Sequence, residues 1–512
     1  MNFSLWPKIK NWLPQLVILC VLGMAYGLSI APGLTWANNG ADGGDLITAA
    51  ATGGVAHPTG YPTYLLLARS FQMLPVGSIA FRTNLLSLVF AILTLLLVYY
   101  TFVHLTGPFP ESRVAGLFAA LAFGLSPLFW SQAVITEVYT VQTFFEALLL
   151  FLLFSHGQVL KHHPIGLDFL IGLVYGLAMG NHLTTIFAFP LVIAVGVIHT
   201  ENALNLQGKT ISNNPKTRWS IRWKVLLYRI LGAFVGLMIY LSLYFRARSG
   251  SPVNWGDPVT LKNLFWLVSG KLYAANLVAF PQGYLAIKLR AWVQVSAKQV
   301  GIIGLILGLW GLYCAKNVSR EFMFSTFYLF VAFVLFSFIY STSDSFVYLI
   351  FALLVLSLWV GIGTAETIKW VSKIRTGLGV VLSLIFFLLL ALHGLKTYNL
   401  VDASKNTDAI AFGEKVMTIA PPQALVFTEG DKDSFTLWYY VYVLKQRQDM
   451  AVIVTNLLPY DWYRSTLRMT YPALSVPVKA TESWKASVIS GNKDRPVCST
   501  VVLNQGQINC WQ

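Results

Sequence analysis

The 512-residue chain is 56% hydrophobic and only 11% charged, with 36 Lys and Arg against 21 Asp and Glu for a formal net charge of +15. An ordinary soluble domain carries roughly a quarter charged residues, so this composition excludes a wholly water-soluble protein. The apolar residues fall in blocks such as 85–100 and 302–313, not in the spaced stripe of a helix with one wet face, so lipid is their solvent and membrane lipids, not nucleic acid, are the expected partner. Cys20 and Cys314 sit singly in apolar runs and no Cys-x-x-Cys spacing occurs, which removes the usual zinc arrangements. Cys498 and Cys510 lie close together, and they form a disulfide if the tail faces an oxidising compartment or stay as thiols if it does not.

In chain order the apolar blocks predict an α-helical polytopic membrane protein of about eleven spans, near residues 13–30, 85–105, 114–130, 139–156, 166–180, 183–198, 225–245, 300–314, 322–340, 346–363 and 377–395. Lys8 and Lys10, the basic segment 209–224, Lys316 with Arg320, and Lys369 with Lys373 and Arg375 fall on one side under that count. Basic loops stay cytoplasmic, so the N-terminus is expected inside, with the first span an uncleaved anchor. Two outer segments follow, 31–81 and 246–298. The second is basic where an outer loop is expected to be poor in such residues: Arg246, Arg248, Lys262, Lys271, Lys288, Arg290 and Lys298 face the single acid Asp257. It either holds an anion or meets lipid headgroups. From about residue 400 the apolar runs shorten to strand length and the charges balance, so 400–512 reads as a soluble extracytoplasmic α/β domain, and 1–399 as the membrane domain. Within the tail, 424–428 and 450–456 are expected strands around an amphipathic helix 434–446, and 497–503 with the turn at 504–507 a closing hairpin.

Chemistry-bearing residues gather at the expected outer face. Asp42-Gly43-Gly44-Asp45 sets two carboxylates three apart with flexible glycines between them, ahead of His57-Pro58-Thr59-Gly60-Tyr61-Pro62. Such a set deprotonates a hydroxyl or holds a divalent cation; alternatively, both acids cap a helix starting at Leu46. Glu137, in Thr136-Glu137-Val138-Tyr139, faces a cavity or caps the helix it precedes. Asn181 and His182 offer an amide and an imidazole that hold a phosphate or simply satisfy a turn. Arg246 and Arg248 either pair with phosphate or anchor at the interface. An acid at one end of a cavity and cations beside it suit a hydroxyl attacking a sugar carbon while a lipid phosphate leaves.

At these residues the sequence resembles the bacterial membrane proteins related to the eukaryotic transmembrane protein O-mannosyltransferases, of the GT-C glycosyltransferase class. The matching pieces are Asp42-Gly43-Gly44-Asp45-Leu46, His57-Pro58-Thr59-Gly60-Tyr61-Pro62, Arg82-Thr83-Asn84-Leu85-Leu86-Ser87, Thr136-Glu137-Val138-Tyr139, Gly180-Asn181-His182-Leu183-Thr184, Asn254-Trp255-Gly256-Asp257-Pro258 and, in the tail, Glu429-Gly430-Asp431-Lys432-Asp433-Ser434-Phe435-Thr436-Leu437-Trp438-Tyr439. Thr59 stands where the family usually has a second proline. The resemblance implies a GT-C-like fold and a polyprenyl-phosphate sugar donor used on the non-cytoplasmic face with inversion. It also implies a catalytic acid in the first outer loop, here Asp42, with Asp45 second and Glu137 assisting. His57, Tyr61, Tyr139, Asn181, His182, Arg246, Arg248 and Trp255 are the expected substrate-binding residues, and a protein hydroxyl or an envelope glycan is the expected acceptor. The rival expectations are a lipid or sugar transporter and an inactive scaffold of envelope assembly.

Overall fold

The computed structural model describes residues 6–154, 164–201, 218–277, 285–342, 344–479, 483–501 and 507–511. Among these, seven helices are long and apolar enough to cross a membrane: Trp12–Ser29, Ile79–Thr106, Trp223–Ala247, Leu289–Val318, Arg320–Ile339, Ser345–Ile374 and Gly377–Val401. Each approaches or exceeds the roughly 20 residues that a hydrocarbon core requires. Pro110–Gly124 and Pro127–Ala133 make an eighth if taken as one span bent by 70°. The break falls at Ser126, whose extended backbone follows from the proline after it.

Of the eleven expected spans, seven, or up to eight, reach that length among the described residues. The other three segments are helices of 10–17 residues, Tyr139–Phe154, Gly166–Met179 and Leu183–Ala194. The last shows the physical cause. Asn181 and His182 form a turn, Leu183–Ala188 is a 3-10 helix, and only six residues, Phe189–Ala194, continue as α-helix. An apolar run that reads as one span is cut by the local backbone. The expected basic segment at 209–217 and the turn residues 504–506 lie outside the described residues; a two-stranded ribbon, Ile198–Glu201 with Arg218–Ile221, flanks the former.

The Ser345–Ile374 span is the centre of the bundle, with every residue from Leu349 to Ala365 buried, as expected of a helix apolar on all sides. Elsewhere, helices meet through their backbones. A Cβ at Gly172, Gly176, Gly232 or Gly236 would strike the main chain of the facing helix, which is how small residues bring membrane helices together. Beside that seam the buried Arg229 pairs with Asp168 at 2.9 Å and donates from Nη1 to the carbonyls of Val192 and Val195, both at 2.7 Å. It thus satisfies the carboxyl end of the short Phe189–Ala194 helix, whose last carbonyls have no partner within the helix.

Beyond Val401 a four-stranded sheet runs in the order Ala451–Val454, Leu425–Thr428, Val497–Val501, Gln507–Trp511, the first three parallel and the last antiparallel. The expected strand–helix–strand unit is present. Leu425–Thr428 leads into the helix Asp431–Trp438, which widens into a π-turn at Tyr439–Val443 before Ala451–Val454. Both strands are buried along their whole length, as strands of a covered parallel sheet are. Cys498 and Cys510 stand opposite each other in the hairpin register and are joined by a disulfide.

Candidate functional site

The site grows from a short helix, Gly43–Thr52. Asp42 is its N-cap position but makes no capping bond, and Asp45 in its first turn is fully buried and turned elsewhere. Neither acid therefore serves as a cap. Asp45 Oδ2 accepts from the backbone N–H of His57 at 2.9 Å and from His57 Nδ1 at 2.7 Å, and its Oδ1 accepts from Trp255 Nε1 at 3.1 Å. On the opposite edge of the imidazole, His57 Nε2 lies 3.6 Å from Asp42 Oδ2. The result is a carboxylate–imidazole–carboxylate string in which the inner acid holds the ring and the outer acid keeps an exposed side chain.

Local sequence explains how the string is held. His57-Pro58-Thr59-Gly60 closes a tight turn through the Gly60 N–H to the His57 carbonyl, with Gly60 at φ 85°. Pro62 then opens the helix Pro62–Gln72 at its first turn, where a missing N–H costs nothing. The turn Asn254-Trp255-Gly256-Asp257 is laced onto this loop by Val55 N–H to Val253 O and Trp255 N–H to Val55 O, which delivers the Trp255 indole to Asp45. Asn84 ties the other wall. Its amide donates to the carbonyls of Ala31 and Gly33 and its oxygen accepts from Thr136, so the segments before Asp42 and around Glu137 share one anchor.

Gly43 and Gly44 were expected to be flexible; they are instead helical and tightly packed. A Cβ on Gly44 would lie 2.5 Å from the Phe435 carbonyl oxygen, so glycine there lets the tail helix Asp431–Trp438 sit directly on the Gly43–Thr52 helix. Phe435 then stacks over His57, with ring centroids 6.3 Å apart and planes 12° from parallel. The tail is thus a wall of the site.

Electrostatics assign protons. Burial pushes His57 down, but Asp42 and Asp45 outweigh it and hold the imidazole up at about 9, so it is a cation at neutral pH. Burial pushes the Asp42 carboxyl up, opposed by His57 and assisted by Asp344 and Asp45. The Asp42 side chain is nevertheless 37% exposed, the combination expected of a group facing a cleft. Glu137 is buried and raised well above the ordinary carboxylate range by desolvation and then by Asp42. His182 is pushed down to about 4 by burial and by the His57 cation, so it is neutral. Its Nδ1 accepts from the Thr184 N–H at 3.2 Å, which leaves the ring proton on Nε2.

The residues expected at the site divide into two groups. Asp42, Asp45, His57 and Trp255 meet directly. Tyr61 links His57 to His182, with ring centroids 5.0 and 6.1 Å away, and Tyr139 flanks His182 at 6.0 Å. Asn181 is fully buried and donates to Val138 O and Gln142 Oε1, so it braces the turn that carries His182. Arg246 and Arg248 are not brought to the acids. Arg246 donates to the carbonyls of Ala49 and Gly54 at the far end of the Gly43–Thr52 helix, roughly 10–15 Å along its axis from Asp42, and Arg248 lies on Tyr244. The cation next to the acids is His57. Arg246 misleads in sequence because a guanidinium answers backbone carbonyls at a helix end as readily as it does a phosphate.

Tyr348, 5.7 Å from His182, and Tyr273, whose hydroxyl feels the charges of Asp42, Asp431 and Asp45, were not anticipated. No local pattern marks either one. Among the described residues no group of three or more His, Cys, Asp or Glu is placed to hold a metal ion. The expected Asp42–Asp45 cation pair finds no support in the geometry, because both oxygens of Asp45 are already occupied by N–H donors.

The fold is that of a GT-C-like membrane protein. It aligns with crystal structures of ArnT from Cupriavidus metallidurans, in the apo state with a TM-score of 0.57 at 11% identity over 96% of this chain and 93% of that one. The same protein bound to undecaprenyl phosphate aligns with a TM-score of 0.52 at 12% identity over 92% and 96%. In sequence, residues 42–205 match the Protein O-mannosyl-transferase TMEM260 N-terminal domain and residues 409–498 match TMEM260-associated domain 2. Protein O-mannosyl-transferase TMEM260 of Mus musculus is 26% identical over 459 residues, 86% of this chain and 62% of that protein. Its namesake in Dictyostelium discoideum is 23% identical over 494 residues, 86% of this chain and 57% of that protein. The chain is related to the TMEM260 proteins, as its motifs implied, and spans less than two thirds of the length of these two relatives.

Proposed function

We propose that the chain is a membrane glycosyltransferase that moves a sugar, mannose by analogy with its relatives, from a polyprenyl-phosphate donor to an acceptor hydroxyl on the non-cytoplasmic face. The observation that carries this is the Asp42–His57–Asp45 string, which presents one reachable carboxylate on a rigid mount. Asp42 takes the proton of the acceptor hydroxyl as its oxygen bonds to the anomeric carbon. The bond from that carbon to the phosphate oxygen breaks on the opposite side, inverting the centre and releasing polyprenyl phosphate with the bonding pair. His57 as a cation keeps Asp42 ionised, and Asp45 keeps His57 in register. His182, with its Nε2 proton, and Tyr139 and Tyr348 beside it supply neutral donors to the leaving phosphate.

Two further supports bear on donor and face. The fold is shared with a protein solved with undecaprenyl phosphate bound. The Cys498–Cys510 disulfide belongs in an oxidising compartment, and the tail that carries it packs on the same side as Asp42. Both support a reading in which that side faces outward, with residues 400–512 as an extracytoplasmic domain, in line with the basic loops expected inside.

The test is purified protein, a radiolabelled polyprenyl-phosphate sugar and a Ser/Thr peptide. Transfer that falls by roughly a hundredfold or more in Asp42→Asn supports the reading, that being the lower end of what a positioned general base contributes. Sugar crossing a vesicle membrane without a covalent product would make the protein a transporter.

A further inference from the structure

The tail helix Asp431–Trp438 opens with two acids, and the structure uses them differently. Asp433 is buried and spent: its carboxylate accepts from Gly430 N–H at 2.9 Å, Glu429 N–H at 3.3 Å and Thr500 Oγ1 at 2.6 Å. Asp431 is exposed and makes no hydrogen bond or ion pair among the described residues. Its position is nonetheless fixed, because the helix beneath it is pinned at several points. Phe435 sits on Gly44 and stacks over His57, Trp36 Nε1 donates to Thr436 Oγ1 at 3.1 Å, and Trp438 lies 6.2 Å from Trp255. Four residues before Phe435, Asp431 projects from the same flank of the helix, at the edge of the cleft that holds Asp42. The protein packed around that flank and then the charge of Asp42 raise its carboxyl to about 6, with His57 opposing.

The cleft therefore has two chemically distinct ends. One is lined by the neutral His182, Tyr139 and Tyr348 and suits a phosphate. The other carries Asp42 and Asp431, whose charges repel a phosphate and attract N–H or O–H donors.

We infer that Asp431 is the contact through which the tail holds a polypeptide acceptor, accepting a hydrogen bond from a backbone N–H beside the reacting Ser or Thr while Asp42 faces the hydroxyl. This rests on the transferase reading above and assigns the acceptor end of that site to the C-terminal segment. The site is then assembled from residues nearly 400 positions apart, and acceptor choice belongs to the tail while donor choice belongs to the membrane part.

The experiment uses the full chain, a polyprenyl-phosphate mannose donor and a Ser/Thr peptide, with steady-state rates for Asp431→Asn. Slow hydrolysis of the donor by water serves as the acceptor-independent control. The expected result is a peptide KM raised by roughly tenfold or more, the loss of one charge-assisted hydrogen bond, with peptide transfer falling further than donor hydrolysis and Asp431→Glu partly restoring peptide binding. A peptide KM within about twofold of wild type, or an equal loss of transfer and hydrolysis, overturns the inference. Because Asp431 is exposed and unpaired, the variant is expected to melt with the wild type. Asp42→Asn is run in parallel: transfer that survives it removes the base assigned above, whereas an unchanged peptide KM in Asp431→Asn removes only the acceptor contact.

Discussion

Gly44→Ala puts two opposed effects in competition, and the structure says which wins. Replacing a helical glycine by alanine ordinarily stabilises by about 1 kcal/mol. At Gly44 the added methyl would lie 2.5 Å from Phe435 O, 2.6 Å from Phe435 C and 2.9 Å from Phe435 Cβ. Main-chain atoms cannot rotate aside, so the tail helix must withdraw by roughly an ångström to restore ordinary contact. Overpacking of this kind costs about 1–3 kcal/mol, which offsets the helix gain and leaves a net loss of up to about 2 kcal/mol. Gly27 is the control. It lies in the helix Gly23–Ser29 with nothing within 4 Å of an added Cβ, so Gly27→Ala is expected to hold or raise stability. Tryptophan-fluorescence melting in detergent reads both. The expected order is Gly44→Ala below wild type by a few degrees, with Gly27→Ala at or above it. Because the obstruction is backbone, Phe435→Ala added to Gly44→Ala is not expected to rescue it. A Gly44→Ala protein melting at or above wild type would refute the claim that the tail is seated on this helix.

Three further outcomes are expected. The rate of sugar transfer should fall as acidity protonates Asp42, at a pH above the usual carboxylate range because its carboxyl is raised, and fall again near pH 9 as His57 loses its proton. His57 also stabilises the fold fully below its unfolded value of about 6.5 and loses that contribution as pH rises through 9. Since Asp45 raises His57, Asp45→Asn should move the alkaline limb to lower pH, as a pH–rate profile would show. Arg229→Ala removes one side of the buried Arg229–Asp168 ion pair, and about 3–5 kcal/mol of destabilisation is expected. Arg229→Lys should recover only part of that in the same melting assay, because an ammonium cannot reproduce the fork that reaches Asp168 and two carbonyls. Cys498→Ser with Cys510→Ser opens a bridge between residues 12 apart in sequence, worth about 3 kcal/mol in the chain-entropy account. Equal melting temperatures for that double variant and the wild type would contradict it.

Much of the site was legible because it is local. Asp42, Asp45 and His57 lie within sixteen consecutive residues, and their carboxylates and imidazole announce proton chemistry whatever the fold. The apolar blocks likewise declared a helical membrane protein, since no soluble fold accommodates them. The shortened tail runs declared the strand–helix–strand unit. Roles that depend on partners far along the chain were not legible. Arg246 has the chemistry of a phosphate ligand, yet it spends its donors on a helix end. Gly44 reads as a hinge, yet it is a contact surface. The short helical lengths inside 183–198 were not legible for a related reason: hydropathy does not register the passage from 3-10 helix to α-helix at Ala188 and Phe189.

Residue type and spacing, then, determined the solvent of the helices and gathered the candidate acids and imidazole, because both follow from chemistry carried by neighbouring residues. Only the tertiary structure decided that Asp45 orients His57 instead of capping a helix. It alone made His57 the cation at the site and Phe435 a wall of it. Those assignments depend on which donor fills which oxygen and which backbone lies against a glycine, contacts between segments up to 400 residues apart that no one-dimensional pattern encodes.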